Sequence, residues 1–109
     1  MAFENKAVAN ISNSSGSPTT ISDTVAASTT HTIIGLSISN TTTSNITVSA
    51  VLRFRDTTNV MLVKDATVLP GGALVVVGGD QKLVLEPLDS VRVYASAANA
   101  ADAVLSYLV

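Results

Sequence analysis

The chain contains no cysteine and no tryptophan, and it has one histidine, His31. Without cysteine there is no disulfide frame, no thiolate zinc site and no cysteine nucleophile. Aromatic residues are 4% of the chain and charged residues 13%, the latter about half the usual share. No basic excess exists either: the net charge is −2. That removes the cationic footprint that nucleic acid or an anionic membrane surface would need. The longest apolar run, Ala73 to Val77, is far short of the roughly 20 residues of a transmembrane helix. Met1 to Lys6 lacks the apolar stretch of a signal peptide, so the expectation is a soluble protein made in the cytosol.

What remains is small, apolar and hydroxyl-rich. The length of 109 residues fits one domain able to bury a core without staples. With 47% hydrophobic residues, that core must be built from Val, Leu, Ile and Ala, with Phe54 and Tyr107 as bulkier pieces. So few charges suggest either that a partner covers part of the surface, or that Ser, Thr and Asn keep it polar without charge.

Residues 1–30 read as an N-terminal arm or long loop. Asn10 to Thr20 is a run of small polar residues with Gly16 and Pro18, offering little apolar area to offset ordering entropy. Phe3, Val8 and Ile11 are its candidate anchors. Residues 31–109 read as a β-sandwich domain. Thr32, Ile34, Leu36 and Ile38 alternate with Ile33, Gly35, Ser37 and Ser39. Ile46, Val48, Ala50, Leu52 and Phe54 fall on one face, with Thr47, Ser49, Arg53 and Arg55 on the other. Asp56 to Asn59 is a hairpin loop returning into a strand from Val60 to Lys64. Pro70-Gly71-Gly72 is a turn in which Pro fixes φ and the following Gly supplies φ > 0. Ala73 to Val77 reads as a strand covered on both faces. Gly78-Gly79-Asp80 and Glu86-Pro87-Leu88-Asp89 are further turns, and Ala98-Asn99-Ala100 is a hairpin tip. A helix over Ala95 to Leu105 is the alternative there, since Ala favours helices. Short, regularly spaced strands give an all-β fold: a single antiparallel β-sandwich, jelly-roll-like, with an extended N-terminal arm.

Chemical motifs are sparse. His31 sits between threonines at the head of a strand, with no second histidine for a base, a catalytic relay or a metal cupin. Asp80, Glu86 and Asp89 are close in sequence but lack calcium-loop spacing, and turns explain them. The paired glycines separate strands and open no helix, so they do not make a phosphate loop. Four Asn-x-Ser/Thr triplets, at Asn10, Asn13, Asn40 and Asn45, follow from a composition rich in those residues. No catalytic, cofactor-binding or metal residue is expected. Arg53, Arg55 and Arg92, with Lys82, would form one basic strip if their strands adjoin, and with Tyr94 they are the candidate partner contacts. The alternative is the solvated face of an antiparallel sheet.

From Ile34 to Val109 the chain resembles a group of small virion structural proteins of tailed bacteriophages. The shared segments are Met61 to Lys64, Pro70 to Gly72, Gly79 to Glu86, Pro87 to Val91 and Ala95 to Asn99, followed by a closing strand. Leu88 stands where that pattern has Gly, so the turn there is expected not to need φ > 0. The resemblance implies a non-enzymatic virion component without cofactor, made in the host cytoplasm. Capsid decoration or cement is the leading role, and a neck, collar, tail or fibre component the alternative. Expected partners are its own copies, a trimer being the anticipated form, and the major capsid protein or other virion proteins. A carbohydrate-binding β-sandwich module is a further alternative, with Tyr94 and Tyr107 its only tyrosines.

Overall fold

The structure is a computed structural model that describes residues 2–22, 29–78 and 81–109. Among these residues there are nine strands and no helix. They are β1 (Phe3–Val8), β2 (Thr19–Thr20), β3 (His31–Asn40), β4 (Ile46–Arg53), β5 (Asn59–Val68), β6 (Ala73–Val77), β7 (Leu83–Leu85), β8 (Ser90–Ala95) and β9 (Ala101–Leu108). One sheet runs β1-β9-β3-β6, with β7 also on β3, and the other runs β2-β8-β4-β5. Every pairing is antiparallel. This is a β-sandwich.

The pairing follows one rule. β1 pairs with β9, β2 with β8, β3 with β6 and β7, and β4 with β5. The chain is thus a long antiparallel ribbon with its tip at the turn between β4 and β5. Folding that ribbon over adds the β3–β9 and β4–β8 pairings.

Alternation decides what goes inside. Val48 and Ala50 of β4, Val91 and Val93 of β8, and Leu105 of β9 are buried between the sheets in this way. On β3 a register shift between Ile33 and Gly35 breaks the alternation, so Ile33 is buried with Leu36 and Ile38, while Ile34, expected on that face, is only half-buried. In the Ala-rich tail, Ala101, Ala103, Leu105 and Tyr107 are buried while Val104 is exposed. That is period two, so the segment is a strand and not a helix. Phe54 does not join the core: it lies just past the end of β4, half-buried beneath Arg55.

Three expectations need correcting. The segment read as an arm is woven into both sheets as far as Ser22. Ile11 and Ile21 are buried, and their N–H groups donate to the carbonyls of Ala101 and Val91, both at 2.9 Å. Val8 packs on the core, whereas Phe3 is exposed. A strand at a sheet edge needs only backbone partners and an occasional apolar anchor, so polar composition concealed it. Residues 23–28 lie outside the described residues. Second, Ala98-Asn99-Ala100 is a turn, with Asn99 at φ 54°, but not a hairpin tip. It carries the chain from β8 in one sheet to β9 in the other. Third, β6 is not covered on both faces, because Val75 is 65% exposed.

Two turns share one design. In Leu69–Gly72, the Gly72 N–H donates to Leu69 O at 2.9 Å, with Pro70 second and Gly71 third at φ 72°. In Glu86–Asp89, the Asp89 N–H donates to Glu86 O at 3.0 Å, with Pro87 second and Leu88 third at φ 71°. The first is as expected. The second overturns the expectation that Leu88 avoids positive φ, because the turn geometry persists without the glycine. The turn expected at Gly78-Gly79-Asp80 falls partly outside the described residues.

Candidate functional site

The outer faces of the two sheets differ. On β2-β8-β4-β5, alternation along β4 sends Ser49, Val51 and Arg53 outward. In register, Val51 is opposite both Arg92 and Met61, Ser49 is opposite Tyr94, and Arg53 is opposite both Ser90 and Asn59. Val51, Arg53, Asn59, Met61, Arg92 and Tyr94, with Ser15, Gly16 and Pro18 of the β1–β2 loop, line a groove of about 360 Å³. The loop is cinched by the Ser12 N–H donating to Thr19 Oγ1 at 2.8 Å.

Lys64 also lines this groove, although Met61 and Lys64, three apart, would face opposite sides of a regular strand. The β4–β5 register shifts explain it. Met61 is opposite Val51 and Val63 is opposite Ala50, so Leu62 is an extra residue that reverses the alternation. A second irregularity is held by Ser49, whose Oγ accepts the Asp65 N–H at 2.9 Å where Asp65 takes φ 51°. Period-two reading of the sequence misses Lys64 because bulges leave no clear residue signature.

Electrostatically the groove is one-sided. The chain has six Lys and Arg residues. Three of them, Arg53, Lys64 and Arg92, line the groove, and among the described residues no Asp or Glu does. Lys64 pairs with Asp65 at 3.2 Å, but both ends are largely exposed, so solvent screens the pair. Arg92 Nε is buried without a hydrogen-bond acceptor among the described residues. A donor left in that state costs about 1–3 kcal/mol.

Of the sequence-predicted contacts, Arg53, Arg92 and Tyr94 therefore come together. Arg55 does not join them. β4 ends at Arg53, and the chain turns where the Phe54 N–H donates to Thr58 O and Thr57 takes φ 72°. Arg55 then donates its N–H to Asp89 Oδ1 at 2.8 Å, places Nη1 3.3 Å from Oδ2, and stacks its guanidinium on Phe54 at 4.1 Å. Lys82, just before β7, is outside the groove as well. In the same turn, Asp56 accepts the Thr58 N–H. Hydrogen bonds from Thr58, its side chain first, hold the Asp56 carboxyl below the usual aspartate range.

The outer face of β1-β9-β3-β6 carries two rows of mostly apolar side chains, with no charged residue in either. One row reads Phe3–Leu108–Thr32–Val84 and a second Ala7–Val104–Ser37–Val75, with Asn5–Ser106–Gly35 between them. Phe3 is 76% exposed, Val84 52% and Val104 46%. A shallow depression of about 270 Å³ lies over Gly35 between Val75 and Val104. Sequence reading missed this face because it assigned Phe3 to an arm and buried Val75.

The remaining polar residues of interest have local partners. His31 stacks on Tyr107 with ring centroids 5.1 Å apart. Asp89 is sealed in its turn, and Asn40, at 2% exposure, donates to Ser44 O and Val68 O. The Asn40 triplet is thus closed to modification in the folded chain. Among the described residues, no three acidic or histidine side chains gather as a metal site would require. No family model, curated protein or solved structure matches the chain.

Proposed function

We propose that this chain is a non-enzymatic structural protein of a tailed-phage particle, acting as a decoration or cement protein on the capsid. The observation that carries the reading is the contrast between the two outer sheet faces. The apolar face suits self-association, since contiguous exposed apolar surface marks interaction sites. The basic groove on the opposite face suits a different, acidic surface. A molecule with one face for its own copies and another for a host surface is built for multivalent docking. The strand order supports a jelly roll: eight paired positions of a rolled ribbon, with β6 and β7 sharing one of them. The resemblance from Ile34 to Val109 supplies the virion context.

Two experiments test this. Electron cryo-microscopy of the particle should place the chain on the head in many copies; density confined to the neck would replace decoration with a collar role. For self-association, sedimentation of the wild-type chain should show an oligomer, a trimer in the simplest case. Val104→Asp, which puts a charge on the interior strand β9 of the apolar face, should shift it to monomer. A wild-type monomer at tens of micromolar (order of magnitude) would refute the role assigned to that face.

A further inference from the structure

We infer that the groove on β8, β4 and β5 binds an extended acidic polypeptide segment, with carboxylates two residues apart. The cation geometry selects this ligand. Arg53 lies opposite Ser90 on β8, and Arg92 is two residues further along that strand. The two arginines are therefore diagonal neighbours on adjacent strands, about 7–8 Å apart at the backbone. Side chains at positions i and i+2 of an extended peptide are separated by roughly 6.6 Å and point the same way. Two alternate carboxylates can then meet Arg53 and Arg92 together. Each guanidinium offers a planar fork suited to a carboxylate. The buried Nε–H of Arg92 has no acceptor among the described residues, so a ligand carboxylate at that guanidinium would lower the cost of its desolvation.

The remaining lining fits the same ligand. Met61 and Val51, 5% exposed on the outward side of β4, supply an apolar floor for the stem of an acidic side chain. Tyr94 and Asn59 add polar groups at the walls. Nucleic acid fits less well, because among the described residues Tyr94 is the one aromatic ring lining the groove and successive bases need successive rings. A glycan platform likewise favours several aromatic faces.

This inference deepens the docking reading above and rests on it only for where the acidic segment resides. It is tested by fluorescence anisotropy with a labelled octapeptide of alternating Glu and Val, against the same peptide with Gln for Glu. The Glu peptide should bind at least about tenfold tighter, and raising the salt from about 50 to about 500 mM should erase the difference. Arg53→Glu should abolish the preference, while Lys82→Glu, which changes the net charge equally but lies outside the groove, should leave it intact. Far-UV circular dichroism checks that both variants fold. Equal binding of the two peptides overturns the inference, as does equal loss in the two variants. Saturable binding of an oligoglucuronate that Arg53→Glu abolishes, with no binding of the Glu peptide, also overturns it, in favour of an acidic glycan. Peptide binding without particle binding would retain the groove and refute the particle role; particle binding untouched by Arg53→Glu would do the reverse.

Discussion

Asp89→Ala should destabilise the fold far more than removing its salt-bridge partner. Asp89 is 1% exposed and joins two distant turns. Its Oδ1 accepts the Arg55 N–H at 2.8 Å and its Oδ2 the Glu86 N–H at 3.0 Å. The Arg55 guanidinium is a longer contact, at 3.3–3.4 Å, from a side chain 43% exposed. Truncation strands two backbone donors that an ionised carboxylate had satisfied, each bond worth about 1.5–3 kcal/mol. Allowing for water reaching the outer of the two, the expected loss is about 3 kcal/mol. For a domain of this size that lowers Tm by roughly 12–20 °C. Arg55→Ala keeps its own backbone N–H on Asp89 and loses a solvated ion pair and an exposed stacking contact with Phe54, so it should cost no more than about 1.5 kcal/mol. Urea unfolding followed by far-UV circular dichroism measures both, since the chain has no tryptophan. A cost for Arg55→Ala equal to or above that for Asp89→Ala would refute the reasoning, because the ion pair would then outweigh the backbone clip.

Two further outcomes are expected. At position 88, where φ is 71°, Gly should be more stable than Ala by about 1 kcal/mol, because an L side chain is disfavoured there; thermal unfolding of Leu88→Gly and Leu88→Ala reads the difference, and equal midpoints would mean the turn relaxes. Asp56, held below the ordinary aspartate value mainly by Thr58, contributes stability above its unfolded-state pKa that is lost as pH falls through its lower folded value. A carboxyl titration by NMR should find its midpoint below that of a random-coil Asp, and Thr58→Ala should move it upward.

Much of the fold was legible from His31 onward because alternation and turn chemistry agree there. The faces of β4 and β9 and the Pro70–Gly72 turn follow directly from residue type. What stayed hidden depends on partners rather than on local sequence. β1 and β2 exist because β9 and β8 offer them hydrogen bonds, which no property of Asn10 to Thr20 announces. Ala98–Ala100 looks the same whether the next strand stays in its sheet or crosses to the other. The groove was half-visible: Arg53, Arg92 and Tyr94 could be placed by parity, but Lys64 depends on the extra residue at Leu62. Arg55 misled because parity was carried past the point where β4 ends. Leu88 misled in another way, since its residue type argued against the backbone that the surrounding turn imposes.

The rolled ribbon also constrains how the molecule assembles in time. The β4–β5 hairpin joins neighbours across a short turn, so its closure entropy is small. β1 meets β9 from opposite ends of the sequence, with the Val109 N–H donating to Ala2 O at 2.9 Å. A fold dominated by such distant pairings is slow to form. Loop-closure entropy alone favours an order from the tip outward, with the two ends zipping together last. Until they do, β9 presents an open edge and Ile11 and Ile21 have yet to seal the core. If copies associate as proposed, that interval is when strands are most easily exchanged between chains.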